Sequence, residues 1–352
     1  RMKEFDGLIL RDSSFQPAHN RIFLEDPDRF IRVFRHAQQF QVDLSLELSD
    51  LLETSLNHLT DKVSQSPAAN RAFRSILQSP GEVYPALWEM HKLGVLGKFI
   101  PEFGLLTCRV QHEYYHRYTA DIHTLNTIKQ LDAVFQGENP EDQKYRKALR
   151  ETENPTLLYL ILLLHDIGKA QGVKGHAERG TAIAKPMLAR MEVKDDFEDK
   201  ILFIIQQHLE MARFWQRFDI DDPRTAQRFA EVVDEADKLR FLYVHTYCDA
   251  CGTSSSVWNS YKDTLHTNLY QRTLELLTEG KPRESETQEL IMGVYEEIKN
   301  RFLKDITEEE VAAHFSLLPE RYFLHHHADD VELHLRMVHQ LLTTIYEADS
   351  LG

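Results

Sequence analysis

Leu157-Leu158-Tyr159-Leu160-Ile161-Leu162-Leu163-Leu164-His165-Asp166-Ile167-Gly168-Lys169 decides how this chain is read. The unbroken apolar run from Leu157 to Leu164 predicts a helix set in a core rather than on a surface. Asn154-Pro155 supplies a cap and a first helical residue, and Gly168 stands at a C-cap position. The adjacent His165 and Asp166 then fall at the edge of that core. Burying them without partners costs on the order of a few kcal/mol. An interior His–Asp hydrogen bond or a bound metal each removes that cost, and this stretch alone leaves both open.

Residues farther out weigh on the choice. His123 lies in the first turn of an amphipathic segment with Ile122, Leu125 and Ile128. His176 follows the His-Asp pair inside Gly175-His176-Ala177-Glu178-Arg179-Gly180. His208 continues the apolar stripe of Ile201, Ile204 and Ile205, and Asp249 shares a helical face with Leu242. The series His123, His165-Asp166, His176, His208, Asp249 offers only nitrogen and oxygen donors. Without thiolate it suits Mn, Fe, Mg or Zn in a reactive site rather than a closed structural zinc site. Two such ions, about 3.5–4 Å apart and bridged by a carboxylate, suit displacement at phosphorus, with Asp166 as the bridging candidate. If His176 and His208 do not bind, the site holds one ion. Lys169 is a candidate to hold a phosphate oxygen as a point charge. Glu178 is a candidate to orient His176. Gly168, Gly172 and Gly175 give the link between His165 and His176 freedom to bend.

Composition narrows the class. The 352 residues are 42% hydrophobic and 28% charged, an ordinary globular balance long enough to bury a core without staples. A net charge of −15 and the lack of a basic run disfavour nucleic acid as a partner. Three cysteines argue against a disulfide framework and for a reducing, cytoplasmic setting. Cys248 and Cys251 read as small core residues rather than a zinc or redox pair. No apolar run approaches the length of a membrane span, and no apolar stretch follows Arg1-Met2-Lys3-Glu4 as in a signal peptide. The N-terminus has the look of a mid-protein start. Oligomeric state is not legible.

The organisation is all-α. Phe5 to Leu10 and Arg21 to Leu24 flank a turn-rich segment and predict a short N-terminal β-hairpin. Asp26-Pro27 opens a helical pattern that runs to about residue 350, with Phe30, Val33, Phe34 and Ala37 at helical spacing. Breaks near Ser79-Pro80-Gly81, Gly137 to Pro140, Gly168 to Gly180, Asp221-Asp222-Pro223 and Gly280-Lys281-Pro282 delimit the helices. The expected division is 1–30 for strands, 31–110 for a helical linker domain, 111–265 for the domain with the His/Asp series, and 266–352 for a C-terminal helical unit hinged at Gly280 to Ser285. His112 and His116 share a helical face and would lie near the mouth of the cleft. His325-His326-His327 reads as a solvated helix entry.

His123, His165-Asp166 and Asp249 resemble the His…His-Asp…Asp pattern of the HD phosphohydrolase superfamily, with His176 and His208 similar to the extra ligands of its two-metal members. The resemblance narrows further. Gly94-Val95-Leu96-Gly97-Lys98-Phe99-Ile100-Pro101-Glu102-Phe103-Gly104, Tyr118 to Leu125, His208-Leu209-Glu210-Met211, Trp258-Asn259-Ser260-Tyr261-Lys262 and Leu317 to Leu324 resemble the bacterial PII uridylyltransferase/uridylyl-removing enzymes, in the same order. Their nucleotidyltransferase motif is not matched, since Gly252-Thr253-Ser254-Ser255-Ser256 is not followed by Asp-x-Asp. No room remains before Gly352 for their two ACT domains. The resemblance therefore implies the HD, uridylyl-removing portion. It implies a core of HD-domain type flanked by helical units, one or two divalent ions, and hydrolysis of UMP from a tyrosine of a uridylylated PII-type signal protein. A small nucleotide as substrate, or a non-catalytic helical regulatory module, are the alternatives.

Overall fold

The structure is a computed structural model and describes residues 4–107, 118–137, 139–254, 257–278, 284–301, 306–319, 322–323 and 326–350. The chain divides into two compact units, Arg1–Phe218 with Val232–Gln271, and Asp219–Glu231 with Arg272–Gly352. His112, His116, His325 and most of the expected hinge lie outside the described residues.

The first unit begins with a small sheet. Strands β1 (Glu4–Phe5), β2 (Leu8–Arg11) and β3 (Ser14–Pro17) run antiparallel, and β4 (Asp43–Leu44) joins β3 in parallel. A hairpin of Phe5 to Leu10 with Arg21 to Leu24 is the sequence expectation. The chain instead turns at Asp6-Gly7 and again at Asp12-Ser13, all four with positive φ, so that Ser14–Pro17 pairs with Leu8–Arg11, and Ile22–Glu25 is a short helix. Two residues with φ above zero match the twist of a tight hairpin, and Asp-Gly suits that geometry. Helix α1 (Arg29–Phe40) begins after Asp28, two residues past the Pro27 start read from the sequence. The Asp6 carboxylate accepts from Arg29 Nε at 3.1 Å, Arg32 Nε at 2.7 Å and Arg32 Nη2 at 2.8 Å, and lies 3.0 Å from His36 Nε2. The first turn is thereby tied to α1.

Helices α2 (Pro67–Leu77) and α3 (Val83–Lys92) pack against α1. Ser66 caps α2 through Oγ, which accepts from Ala69 N, and Pro67 occupies its first turn. The N-terminus of α3 is held by Asp132 of helix α4 (Ala120–Gln136), whose carboxylate accepts from Val83 N and Tyr84 N and from the Tyr159 hydroxyl. Four more helices complete the His/Asp core: α5 (Leu157–Leu164), α6 (His176–Arg190), α7 (Asp195–Gln207) and α8 (Ala236–Thr253). Helix α8 lies directly on α4. A Cβ on Gly252 would come within 2.7 Å of Thr127 Cγ2 and 2.8 Å of Thr127 N, so the close approach of the two helices here requires glycine.

The second unit is helical. Glu284–Asn300, Glu308–Leu317 and Ala328–Ser350 surround a core of Ile298, Val311, Phe323, Val331 and Leu335. Thr307 and Glu310 form a reciprocal capping box. His326 lies in this unit, with Nδ1 donating to the Tyr322 carbonyl at 2.8 Å. Apart from the N-terminal sheet, the chain is all-α. Among the described residues, no helix is long and apolar enough to cross a membrane.

Candidate metal centre

Helix α5 is core on nearly every side, from Leu158 through Leu164. It closes sooner than its caps suggest. Asn154 does not cap it through its side chain; its Oδ1 accepts from Thr156 Oγ1 and its carbonyl from Leu157 N. His165 is the C-cap residue, and a tight 3₁₀ turn, Ile167–Gln171, follows Asp166. Gly168 lies inside that turn rather than at a left-handed cap. Its lack of a side chain serves close approach, because a Cβ there would sit 2.0 Å from the His176 carbonyl oxygen. The turn is thus pressed onto the start of α6, and this brings His176 beside Asp166.

All six residues of the sequence series come together. His123, His165 and Asp249 form one cluster, and Asp166, His176 and His208 form another. Asp166 lies between them. Its Oδ2 is 3.3 Å from His165 Nε2 and 3.6 Å from His123 Nε2, while its Oδ1 is 3.3 Å from His176 Nε2 and 3.9 Å from His208 Nε2. Asp249 Oδ1 lies 2.9 Å from His123 Nε2 and 3.5 Å from His165 Nε2. Lys169 folds inward, with Nζ 2.8 Å from Asp166 Oδ2. The Glu178 side chain is exposed, and the carbonyl of Val173 orients His176 in its place. Cys248 is buried and Cys251 half-buried, and neither joins the two clusters.

The donor set fits divalent cations on a structural test. Three imidazoles place Nδ1 on a main-chain carbonyl three residues earlier: His165 on Leu162 at 2.7 Å, His176 on Val173 at 2.7 Å, His208 on Ile205 at 2.8 Å. A carbonyl only accepts, so Nδ1 carries the proton and Nε2 of the neutral ring presents a lone pair. The Nε2 atoms of His176 and His208 are 3.2 Å apart. Two lone pairs at that distance repel unless a cation or a proton lies between them. Burial, then the nearby His165, pushes His208 down to about 4, so its own proton is a poor solution near neutrality. In the other cluster burial works against charge on His165, yet Asp166 and Asp249 lift it to about 10. Burial likewise opposes charge on the two carboxyls, and His165 with Lys169 for Asp166, and His123 with His165 for Asp249, hold both well below the usual range. Protons there occupy the place that a metal would take.

One buried imidazole beside the two clusters escaped the sequence reading. His245 is fully buried, with its ring centroid 5.0 Å from that of His165 and 5.6 Å from that of His208. Neither of its ring nitrogens has a hydrogen-bond partner among the described residues. The available signal was its spacing, since it lies one helical turn before Asp249 on the same face of α8.

The helical core and its paired His/Asp clusters define a member of the HD superfamily of metal-dependent phosphohydrolases. Residues 121–242 match the family model described as HD domain. Residues 9–99 match that described as Uridylyltransferase GlnD third domain. The chain corresponds to the HD-containing part of the bifunctional uridylyltransferase/uridylyl-removing enzymes. That of Caulobacter vibrioides is 33% identical over 261 residues, covering 74% of this chain and 28% of the relative. That of Azotobacter vinelandii is 29% identical over 338 residues, covering 94% and 37%. The chain therefore spans about a third of the length of these relatives. A solved tRNA-processing enzyme in an apo form is similar at 17% identity over 82% of this chain and 63% of that one, with a TM-score of 0.48.

Proposed function

We propose that the chain hydrolyses the phosphodiester joining UMP to a tyrosine of a PII-type signal protein. The observation that carries this reading is the position of Asp166, with one oxygen toward each cluster. His123, His165 and Asp249 would hold one divalent ion, and His176 and His208 a second, with Asp166 shared between them. A bound divalent ion supplies Lewis acidity at phosphoryl oxygens and lowers the pKa of water. The chain's own residues supply the rest. The main-chain carbonyls of Leu162, Val173 and Ile205 fix the imidazoles with Nε2 inward. Lys169 places a positive charge at Asp166, within reach of an incoming phosphoryl oxygen. Burial of His165, Asp166 and His208 keeps bulk water from screening these charges. The site opens on the side of Asp249, whose side chain is 25% exposed while the five other ligand candidates are nearly closed off. Water adds to phosphorus, the bond from phosphorus to the tyrosyl oxygen breaks, and that oxygen takes up a proton, giving UMP and free tyrosine.

Uridylyl removal is supported by the names of the relatives, and a PII-type protein as the bearer of the UMP follows from the sequence resemblance. Incubating a uridylylated PII protein with the chain and Mn²⁺ is expected to release UMP. Release of phosphate from free nucleotides with the PII protein left modified would shift the reading to a small-nucleotide hydrolase. Inactivity on both, and on bis-p-nitrophenyl phosphate, would leave a regulatory module.

A further inference from the structure

Helices α4 and α8, which carry His123 and Asp249, also wall a cavity of about 480 Å³. Tyr118, Asn126, Lys129, Gln130, Asp132 and Ser254 are among the residues that line it. Asn126 and Gln130 follow His123 at three and seven positions, so the three lie along one face of α4. Cys251, Gly252 and Ser254, at the end of α8 just past Asp249, close the other side. The cavity therefore begins about one helical turn along α4 and α8 from two ligand candidates, His123 and Asp249, of which Asp249 is the most exposed of the six.

We propose that this cavity is a nucleoside subsite, with Asn126 reading an edge of the base. Its size is within the range of small-ligand sites and accommodates a nucleoside. Its chemistry also fits. Asn126 is half-buried and offers two donors and an acceptor, which complement the alternating N–H and C=O groups of a pyrimidine edge. Gln130 donates to the Tyr247 hydroxyl at 3.2 Å, which steadies its amide beside Asn126. Tyr118, 40% exposed, offers an aromatic face for the base. Asp132 turns its oxygens to Tyr159, Val83 and Tyr84, which leaves them committed to the protein rather than to a ligand. The exposed ammonium of Lys129 adds the opposite sign at the rim.

The subsite deepens the proposed phosphodiesterase, yet its test needs no turnover. Calorimetric titration of the whole 352-residue chain in Mn²⁺ compares UMP with ribose 5-phosphate, which lacks the base. UMP is expected to bind about tenfold more tightly, one to two hydrogen bonds' worth of discrimination. Asn126→Ala is expected to narrow that ratio to below about threefold, and Tyr118→Ala to narrow it by a different route, through lost stacking. Alanine at Asn126 is a good helix former on a half-exposed position, so the fold should hold, and circular dichroism checks this. Equal affinity for the two ligands in the unaltered chain, no binding of either at millimolar concentration, or a ratio unchanged in both variants each overturns the subsite. UMP selectivity that depends on Asn126, in a chain that releases no UMP from a uridylylated PII protein, would sustain the subsite and sink the proposed reaction.

Discussion

Two polar clusters in the first unit are built alike and behave in opposite ways. Around Asp6, a single carboxylate receives two guanidinium groups and His36, and every close contact joins a donor to an acceptor. Around Asp166, Lys169 and His165 face one carboxylate oxygen, but His176 meets His208 nitrogen to nitrogen at 3.2 Å, each with its Nδ1 already given to a main-chain carbonyl. The Asp6 cluster is complete as protein. The Asp166 cluster would be completed by a cation. A buried polar group that satisfies itself fastens a fold, while one that leaves like poles facing marks a site.

Four experiments would break or sharpen that contrast. The largest effect is expected from Asp166→Ala, which removes the shared carboxylate. Phosphodiester turnover should fall by about 10³-fold or more, some 4 kcal/mol in barrier, and bound metal should drop while the helical circular dichroism persists. Turnover retained with metal content unchanged would place the chemistry elsewhere. Gly168→Ala comes next. Its Cβ would collide with the His176 carbonyl, so about 3 kcal/mol of stability should be lost together with metal affinity, read by thermal unfolding with and without Mn²⁺. A stable variant that binds metal normally would show that the turn can shift freely.

Asp6→Asn should cost about 2 kcal/mol and leave metal binding intact. The pH dependence has a definite sign here. Burial opposes ionisation of Asp6, but bonds from Arg32, His36 and Arg29 hold its carboxyl well below its ordinary value. A depressed folded-state pKa gives stability that is present above the ordinary carboxylate range and lost as pH falls below it. The unaltered chain should therefore lose stability on acidification more steeply than Asp6→Asn, and parallel curves would remove Asp6 from that role. The smallest effect is expected from His245→Leu. Deleting two unpartnered buried nitrogens should raise the melting temperature of the metal-free chain by about 2 °C, and a fall would mean that His245 has a binding role.

Much of this was legible before any coordinates. Each of the six clustered residues stood on or beside an apolar helix, where a polar side chain needs a reason, and their shared N/O chemistry supplied one. The all-α reading held because helical periodicity is dense from Phe30 onward. What escaped depends on contacts distant in sequence. Gly168 looks like a cap because a glycine after a helix usually is one, and its actual neighbour is the carbonyl of His176. Asp6-Gly7 was hidden inside an apolar stretch although it is a strong hairpin signal, and β4 is only two residues long. His245 looked like one more polar residue on a helix, since nothing local says that both faces of its ring are covered.

The close approach of Gly252 to Thr127 has a consequence for the spacing of the candidate ligands. A Cβ at position 252 would meet Thr127 Cγ2 at 2.7 Å and Thr127 N at 2.8 Å, so glycine there lets α4 and α8 come together where they carry His123 and Asp249. A single methyl group at position 252 would wedge the two helices apart and displace both side chains at once.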